Sequence, residues 1–536
     1  MSEYMKVPVR KVGLLLLSLI VLQRGPADAQ SATPHSGLTL LEAVESTLQE
    51  HPLIRSQQAQ VQISRGFRDQ ASGAFDPVIT SGFTADRSNL PLSDLQQQQN
   101  AGSGILGNDQ VSNKASYGLG VERLFRNGIS ITPQFQLGRT TDNGFNAGGV
   151  NTSTLGFAVN IPLMRGRGRS VVAAQETAAK DEVDATLLDL NFLISQLITN
   201  TASSYWNLVA AEKNLTIAID AEERGKVYLD QVGTLVNADH VPRNDLHEVQ
   251  ANLAQRSATR VAAEQQVFAA QQQLALDMGM SADRIVLSMP IPADDFPSAE
   301  DQKLPSDIGP CMQYYSEEAL QRRGDYLASQ RRYAGARVLL NAARNSILPQ
   351  VSLNLYSGYT GLQEGRQVSD FFSSSFTRVP GPNASAGITY TFPSGNRAAH
   401  GETLRSEGAA TQAEVQTRQL ARGINSSVVV SLEGVRNAIL RAQRARQAVD
   451  SFRSALTGER EKYAGGIGSI VNILSVEDKL TAALAEQVQS QLSYVLALAQ
   501  FRLASGTLVQ LNQAVQHVPA DTFVALPFTC TSQEVR

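Results

Sequence analysis

The sequence predicts a mixed α/β membrane protein with an internal duplication, in which any membrane-spanning part is made of strands. Three observations carry this expectation: an export segment at the N-terminus, no later apolar run long enough for a spanning helix, and one ordered series of helix, strands, very long helix and return helix that occurs twice. The 536 residues are 42% hydrophobic and 18% charged with a formal net charge of -4, a balance that supports a sizeable core and does not suggest a nucleic-acid partner.

The export segment comes first. Basic MSEYMKVPVRK, apolar GLLLLSLIVL and small-residue ADA ending at Ala29 follow the order of a cleavable signal peptide, so residues 1–29 are expected to be removed. The apolar core of about ten residues is half of the ~20 that a spanning helix needs. No cysteine follows the cleavage point, so there is no acceptor for a lipid anchor.

A first unit, 30–300, opens with LTLLEAVESTLQEHPLIRSQQAQVQISRGFRDQASG, where Leu41, Val44, Leu48, Ile54 and Val61 keep roughly helical spacing and Pro52 marks a break. In FDPVITSGFTADRS the period shifts toward two. After a Gln/Asn/Gly-rich loop, YGLGVERLF, GISITPQFQLG and STLGFAVNIPL read as alternating strands between turn residues. A second unit, 317–510, repeats the plan: the helix from Glu317 to Ser346, the strand LPQVSLNLYSGYTG, then NASAGITYTFPSG, whose Pro393 answers Pro162. A proline-rich acidic connector containing 301–316 joins the units, and 511–536 form a C-terminal tail.

Each unit contains a rod. Val171 to about Leu229 has no proline, and at 1.5 Å per residue makes a helix of roughly 90 Å; Ala398 to about Glu461 is comparable. Return helices are expected over Asp245–Met280 and Glu477–Leu503. The small, numerous apolar positions suit a broad packed face better than a two-stranded zipper.

No catalytic set emerges. The histidines are scattered, with no HExxH, and His240 and His247, seven apart, flank Pro242, which breaks helical geometry between them. GRGRS at 166–170 lacks the GK[ST] ending of a phosphate loop; its arginines suit the membrane interface where a strand becomes a helix. Phe125 between Arg123 and Arg126 has the same interfacial character, which a plain hairpin turn explains equally well. Cys311 and Cys530 are too far apart for a metal knuckle, and whether they pair is left open. No metal, cofactor or enzymatic role is expected.

The stretches HPLIRSQQAQV, VNIPLMRGRGRS, ITYTFPSGNRA, YAGGIGSIVNILSVEDKLTAALAEQ and LALAQFRLASGTL, in this order from about Leu38 to Leu508, resemble the TolC family of outer membrane efflux proteins. The resemblance implies a homotrimer, four strands per protomer in one twelve-stranded outer membrane barrel, and a long periplasmic helical tunnel. It also implies a channel of a tripartite efflux or secretion system, with a periplasmic adaptor and an inner membrane transporter as partners, seated in the outer membrane of a Gram-negative cell and in contact with its lipid. The first unit has about 40 residues more than the second between first strand and proline-marked join. The surplus contains YGLGVERLF and GISITPQFQLG, a hairpin expected to lie outside the minimal strand set, at the mouth or the equator.

In the family a ring of aspartates, assisted by tyrosine and arginine contacts, closes the periplasmic end. The matching positions here are Tyr463, Gly468 for the arginine, and Asn472 and Ser475 for the aspartates, with Glu477 and Asp478 just beyond. The expected constriction is therefore Tyr463, Asn472, Ser475 and Asp478, less attractive to cations than a carboxylate ring. Gly233, Leu235, Val236, Gly465, Gly466, Gly468 and Ser469 are the expected adaptor contacts. A coiled-coil adaptor or an adhesin-like outer membrane protein is the alternative; the former lacks duplicated amphipathic strands.

Overall fold

A computed structural model describes residues 37–102, 107–144, 146–239, 241–287, 289–299, 308–509 and 521–524. The expected signal peptide, residues 301–307 of the connector, His240, Cys530 and most of the tail lie outside them. In chain order the elements are α1 (Leu40–Glu50), α2 (Pro52–Ser72), β1 (Val78–Pro91), α3 (Asp94–Gly102), β2 (Asp109–Leu124), β3 (Ser130–Asp142), β4 (Val150–Pro162), α4 (Arg169–Val172), α5 (Ala174–Asn237), α6 (Arg243–Asp277) and α7 (Ala282–Leu287). There follow α8 (Gly309–Arg322), α9 (Gly324–Ser346), β5 (Gln350–Glu364), α10 (Val368–Ser373), β6 (Pro382–Thr391), α11 (Arg397–Ala464), α12 (Ile470–Ser505) and α13 (Asp521–Val524).

Two rods dominate. α5 has 64 residues and α11 has 68, which at 1.5 Å per residue are about 96 and 102 Å long. Neither contains proline. Helices of that length draw stability from packing rather than propensity: α5 lies against α2, α6, α9 and α12, and α11 against α8, α9 and α12. The outcome is a wall one helix thick, ordered α2–α5–α9–α11 toward the sheet and α6–α5–α12–α11 toward the tips.

Two shorter helices make up each of the other two columns, and they meet end to end in the same way. α1 stops and α2 starts at His51, which has extended backbone and accepts the Leu53 N–H at Nδ1; α6 ends at Gly279, whose φ is +74° and whose absent Cβ would sit 2.5 Å from His51 Cα. In the second unit α8 stops and α9 starts at Arg323, and α12 ends at Gly506, with φ +68° and its absent Cβ 3.3 Å from Arg323 N. A side chain at either glycine would strain a left-handed backbone; at Gly279 it would also collide with the His51 backbone, and at Gly506 it would be tight against Arg322 and Arg323. This shared joint is the duplication expressed in three dimensions.

At His51, burial lowers the imidazole pKa, partly offset by Asp277. The neutral ring's contribution to stability is complete above about pH 6.5 and is lost as pH falls through the lower folded value, because the unfolded chain takes the proton first. His51→Asn keeps a capping acceptor worth about 1 kcal/mol without a titrating ring. Thermal scans of this variant are expected to show a flatter dependence of Tm on acidification than the parent.

Around the joint lies the larger core, with Ile198, Tyr205 and Leu208 of α5, Leu432 of α11 and Leu498 and Phe501 of α12 fully buried. The segment after α7 docks here. Leu38 N–H donates to Ile291 O, the Tyr205 hydroxyl lies 3.0 Å from an Asp294 carboxylate oxygen, and Trp206 stacks on Phe296. Burial holds the Tyr205 hydroxyl well above its usual pKa.

The strands form one antiparallel sheet in the order β1-β2-β3-β4-β5-β6. The resemblance implies four strands; among the described residues six are present, and the surplus segments are β2 and β3 within the sheet, not a decoration beside it. The loop expected over about 89–113 is shorter, because β1 runs to Pro91 and β2 begins at Asp109. Cross-strand register fixes the faces: Leu353 opposes Ile388, Val159 opposes Leu355, and Ile131 opposes Val159 on one apolar face, while Ser352–Thr389 and Asn160–Asn354 lie on the polar one. No described helix is long and apolar enough to cross a membrane.

Candidate aperture at the helical tips

At the end away from the sheet, each rod reverses into its return helix. Gly465 ends α11; Gly466 follows with φ +76°; Gly468 brings the chain so close to the Tyr463 backbone that a Cβ would lie 2.7 Å from its nitrogen; the Ser469 side chain then accepts the Val471 N–H to cap α12. Glycine is required at Gly466 by dihedral angle and at Gly468 by space. α12 therefore begins at Ile470, earlier than the expected Glu477. In the first unit α5 continues to Asn237, so Gly233, Leu235 and Val236 are helical rather than part of the reversal, and Val236 is buried.

Four helices share a small core here. Tyr228 and Val232 of α5, Val249 of α6, Leu456 of α11 and Ile473 and Leu474 of α12 pack together, with Tyr463 half-buried at its edge. Above it sits a buried charge: the fully buried Glu477 carboxylate lies 2.5 Å from Arg224 Nε of α5 and 3.7 Å from Arg460 of α11. Arg460 also donates to the Tyr228 hydroxyl at 2.8 Å, and burial raises the pKa of that phenol. Among the described residues no donor is aligned on either Glu477 oxygen, so the contact rests on charge more than on directional hydrogen bonding. One residue on, Asp478 accepts from Arg256 at 2.9 Å and from Asn252 at 3.1 Å, while Arg256 also donates to Ala221 O. α12 is thus tied to all three helices beside it.

The expected constriction residues separate into two groups. Asn472 and Ser475 are exposed on the side of α12 opposite its buried residues Ile473, Leu474 and Glu477. Asp478 lies on the flank, committed to α6. Sequence reasoning missed Lys479, which is four residues after Ser475 and seven after Asn472, hence on the same stripe; it is exposed and has no ion pair among the described residues. It also gave Glu477 no role. Nothing in its local sequence marks its burial, which depends on two arginines on other helices. Ile467, within the expected tip segment 465–469, is 83% exposed at the apex of the turn.

Other sequence features fall elsewhere. Arg126 of ERLFRNG pairs with both Glu176 oxygens at 2.6 Å and lies over the Phe75 ring, next to the strand-to-helix join that contains 166–170. Cys311 is buried and disulfide-bonded. Among the described residues no group of three His, Cys, Asp or Glu side chains is arranged to hold a metal ion.

No protein-family model and no curated protein matches the chain. Solved structures do. The outer-membrane channel OprN is 18% identical, with 87% of this chain and 89% of that chain covered at a TM-score of 0.62. The outer membrane protein VceC from Vibrio cholerae is 18% identical over 87% and 95% at 0.58, and the open state of the MtrE outer membrane channel from Neisseria gonorrhoeae is 17% identical over 87% and 88% at 0.58. The chain has the fold of these proteins.

Proposed function

We propose that this chain is a TolC-family outer membrane channel, the exit duct of a tripartite efflux or secretion system, acting as a non-catalytic homotrimer with a periplasmic adaptor and an inner membrane transporter. The observation that carries the reading is that the protomer is a piece of wall. Among the described residues β1 and β6 are unpaired along their outer edges, and below them α2 exposes Ile63 and Phe67 while α11 exposes Leu404, Val415 and Val430. Unpaired strand edges and apolar stripes in line with one another call for closure by further copies. Since only helices or closed barrels span a bilayer, the sheet is the outer membrane part. A periplasmic coiled-coil adaptor, which lacks duplicated amphipathic strands, does not fit a six-stranded sheet of this kind.

Gentle detergent extraction with mass determination and particle imaging tests the reading. A three-protomer tube with a short barrel and a long cylinder is expected; a monomer released from membranes by salt overturns it.

The tips form the gate in this reading. Asn472 and Ser475, with Lys479 one turn further, line the constriction, Tyr463 supports it, and Asp478 holds α12 to α6. A ring of amides carries no charge, so divalent cations are expected to block the pore weakly. Asn472→Asp installs three carboxylates and is expected to bring block at about tenfold lower divalent concentration in single-channel recordings.

The apex residues Gly465, Gly466, Gly468 and Ser469, with Gly233 and Leu235 alongside, face the adaptor, and Ile467 supplies the apolar contact. Burying an isoleucine is worth about 1.5–3 kcal/mol, so Ile467→Asp is expected to weaken adaptor cross-linking about 10- to 100-fold while the trimer persists.

A further inference from the structure

We propose that the β2–β3 hairpin is part of the membrane wall, so that three copies of this six-stranded sheet close an eighteen-stranded barrel, wider than the twelve-stranded one the resemblance implies. The inference rests on the trimeric channel reading above.

Four observations point the same way. The hairpin is hydrogen-bonded along its length on both sides, with Val78 to Pro91 of β1 opposite Glu122 to Asp109, and Ser130 to Thr140 of β3 opposite Asn160 to Val150. A decoration at the mouth would pair near one end only.

Its faces are in phase with the rest of the sheet. Phe83, Tyr117 and Leu137 lie opposite one another on the apolar face, as do Ser81, Leu119, Phe135 and Leu155. The intervening positions, Ser116, Gly118, Gln134 and Gln136, belong to the polar face. From Asn113 to Arg123 on the apolar face is about ten residues, which at about 3.4 Å per residue and a tilt near 40° span about 26 Å, the height of the apolar band of an outer membrane barrel.

The lower turn is fastened to the strand-to-helix join. Gly168 N–H donates to Asn127 O at 3.0 Å, Gly128 has no room for a Cβ beside Gly166 O, and Arg126 grips Glu176 at the start of α5. The hairpin therefore starts at the same level as the other strands.

Widths agree as well. Six strands about 4.8 Å apart and tilted near 40° cover an arc of about 38 Å, against about 32–40 Å for the four helices beneath at 8–10 Å spacing; four strands would cover about 25 Å. Inserting two strands also leaves β1 and β6 antiparallel, so β6 of one copy can pair with β1 of the next. The closed barrel has a backbone diameter of about 36 Å, against about 24 Å for twelve strands, and roughly twice the cross-section.

Two measurements on the full chain test this. Particle imaging in lipid nanodiscs is expected to count eighteen strands. Spin labels at Leu119→Cys and Gln134→Cys in reconstituted membranes are expected to differ: the first several-fold more accessible to oxygen than to a water-soluble nickel complex, the second the reverse. A trimer with twelve barrel strands, or labels that both favour the nickel complex, overturns the wide barrel and leaves the channel reading standing. Absence of a membrane-inserted trimer overturns both.

Discussion

Replacing Arg224 and Arg460 together by alanine is expected to loosen the helical tips of the protein. Glu477 is fully buried and those two side chains are its cations. A buried carboxylate stripped of its partners costs about 3–5 kcal/mol, so Glu477 will swing toward solvent, which separates α12 from α5 and α11. Single-channel conductance is expected to rise several-fold and Tm to fall. Glu477→Gln is expected to do less, because the amide occupies the same space and the arginines, 31% and 49% exposed, remain solvated. A double variant with parental conductance and Tm would remove Glu477 from any role in holding the tips together.

Reversing the charge at Lys479 is the second large effect. In the proposed threefold pore this residue adds three positive charges about two turns beyond three asparagines, in a narrow space where a few charges govern which ions enter. The parent channel is expected to favour anions, and Lys479→Glu to shift the ratio of chloride to potassium permeability by about tenfold toward cations, more strongly at low salt. Equal reversal potentials for parent and variant in a salt gradient would mean that this face of α12 does not line the conducting path.

Much of the architecture could be read from local pattern. The long proline-free runs gave the rods, Pro52 gave the first joint, and the glycines at Gly465 to Gly468 gave the second reversal, because backbone geometry is written in residue type. The helix ends were less legible: α5 runs on through Gly233, since one glycine inside a packed helix costs only about 1 kcal/mol. The place of two strands in the sheet is not legible for a different reason. YGLGVERLF and GISITPQFQLG were visible as strands, but their place in the sheet depends on register with Val78–Pro91 and Val150–Pro162, which no local signal encodes. At the tips, the turn was legible and the gate was not. Glu477 and Asp478 are adjacent acids in the sequence; one is buried between arginines of α5 and α11, the other tied to Arg256 of α6, and only packing separates their roles.

The joint at His51 and Gly279, with its counterpart at Arg323 and Gly506, has a mechanical meaning. In each unit one column is an unbroken rod and the other is cut at mid-height, so the wall alternates stiff members with articulated ones. A displacement applied to the tips is spread along α5 and α11 as gentle curvature, on the scale of the 60–100 Å radii that long helices adopt. In α6 and α12 the same displacement is taken up at the cut, where the return helix pivots against a neighbour that stays put. Motion of α6 and α12 at the tips is thus decoupled from α2, α9 and the sheet above them: in the proposed trimer the bore can change at one end while the sheet end keeps a fixed circumference.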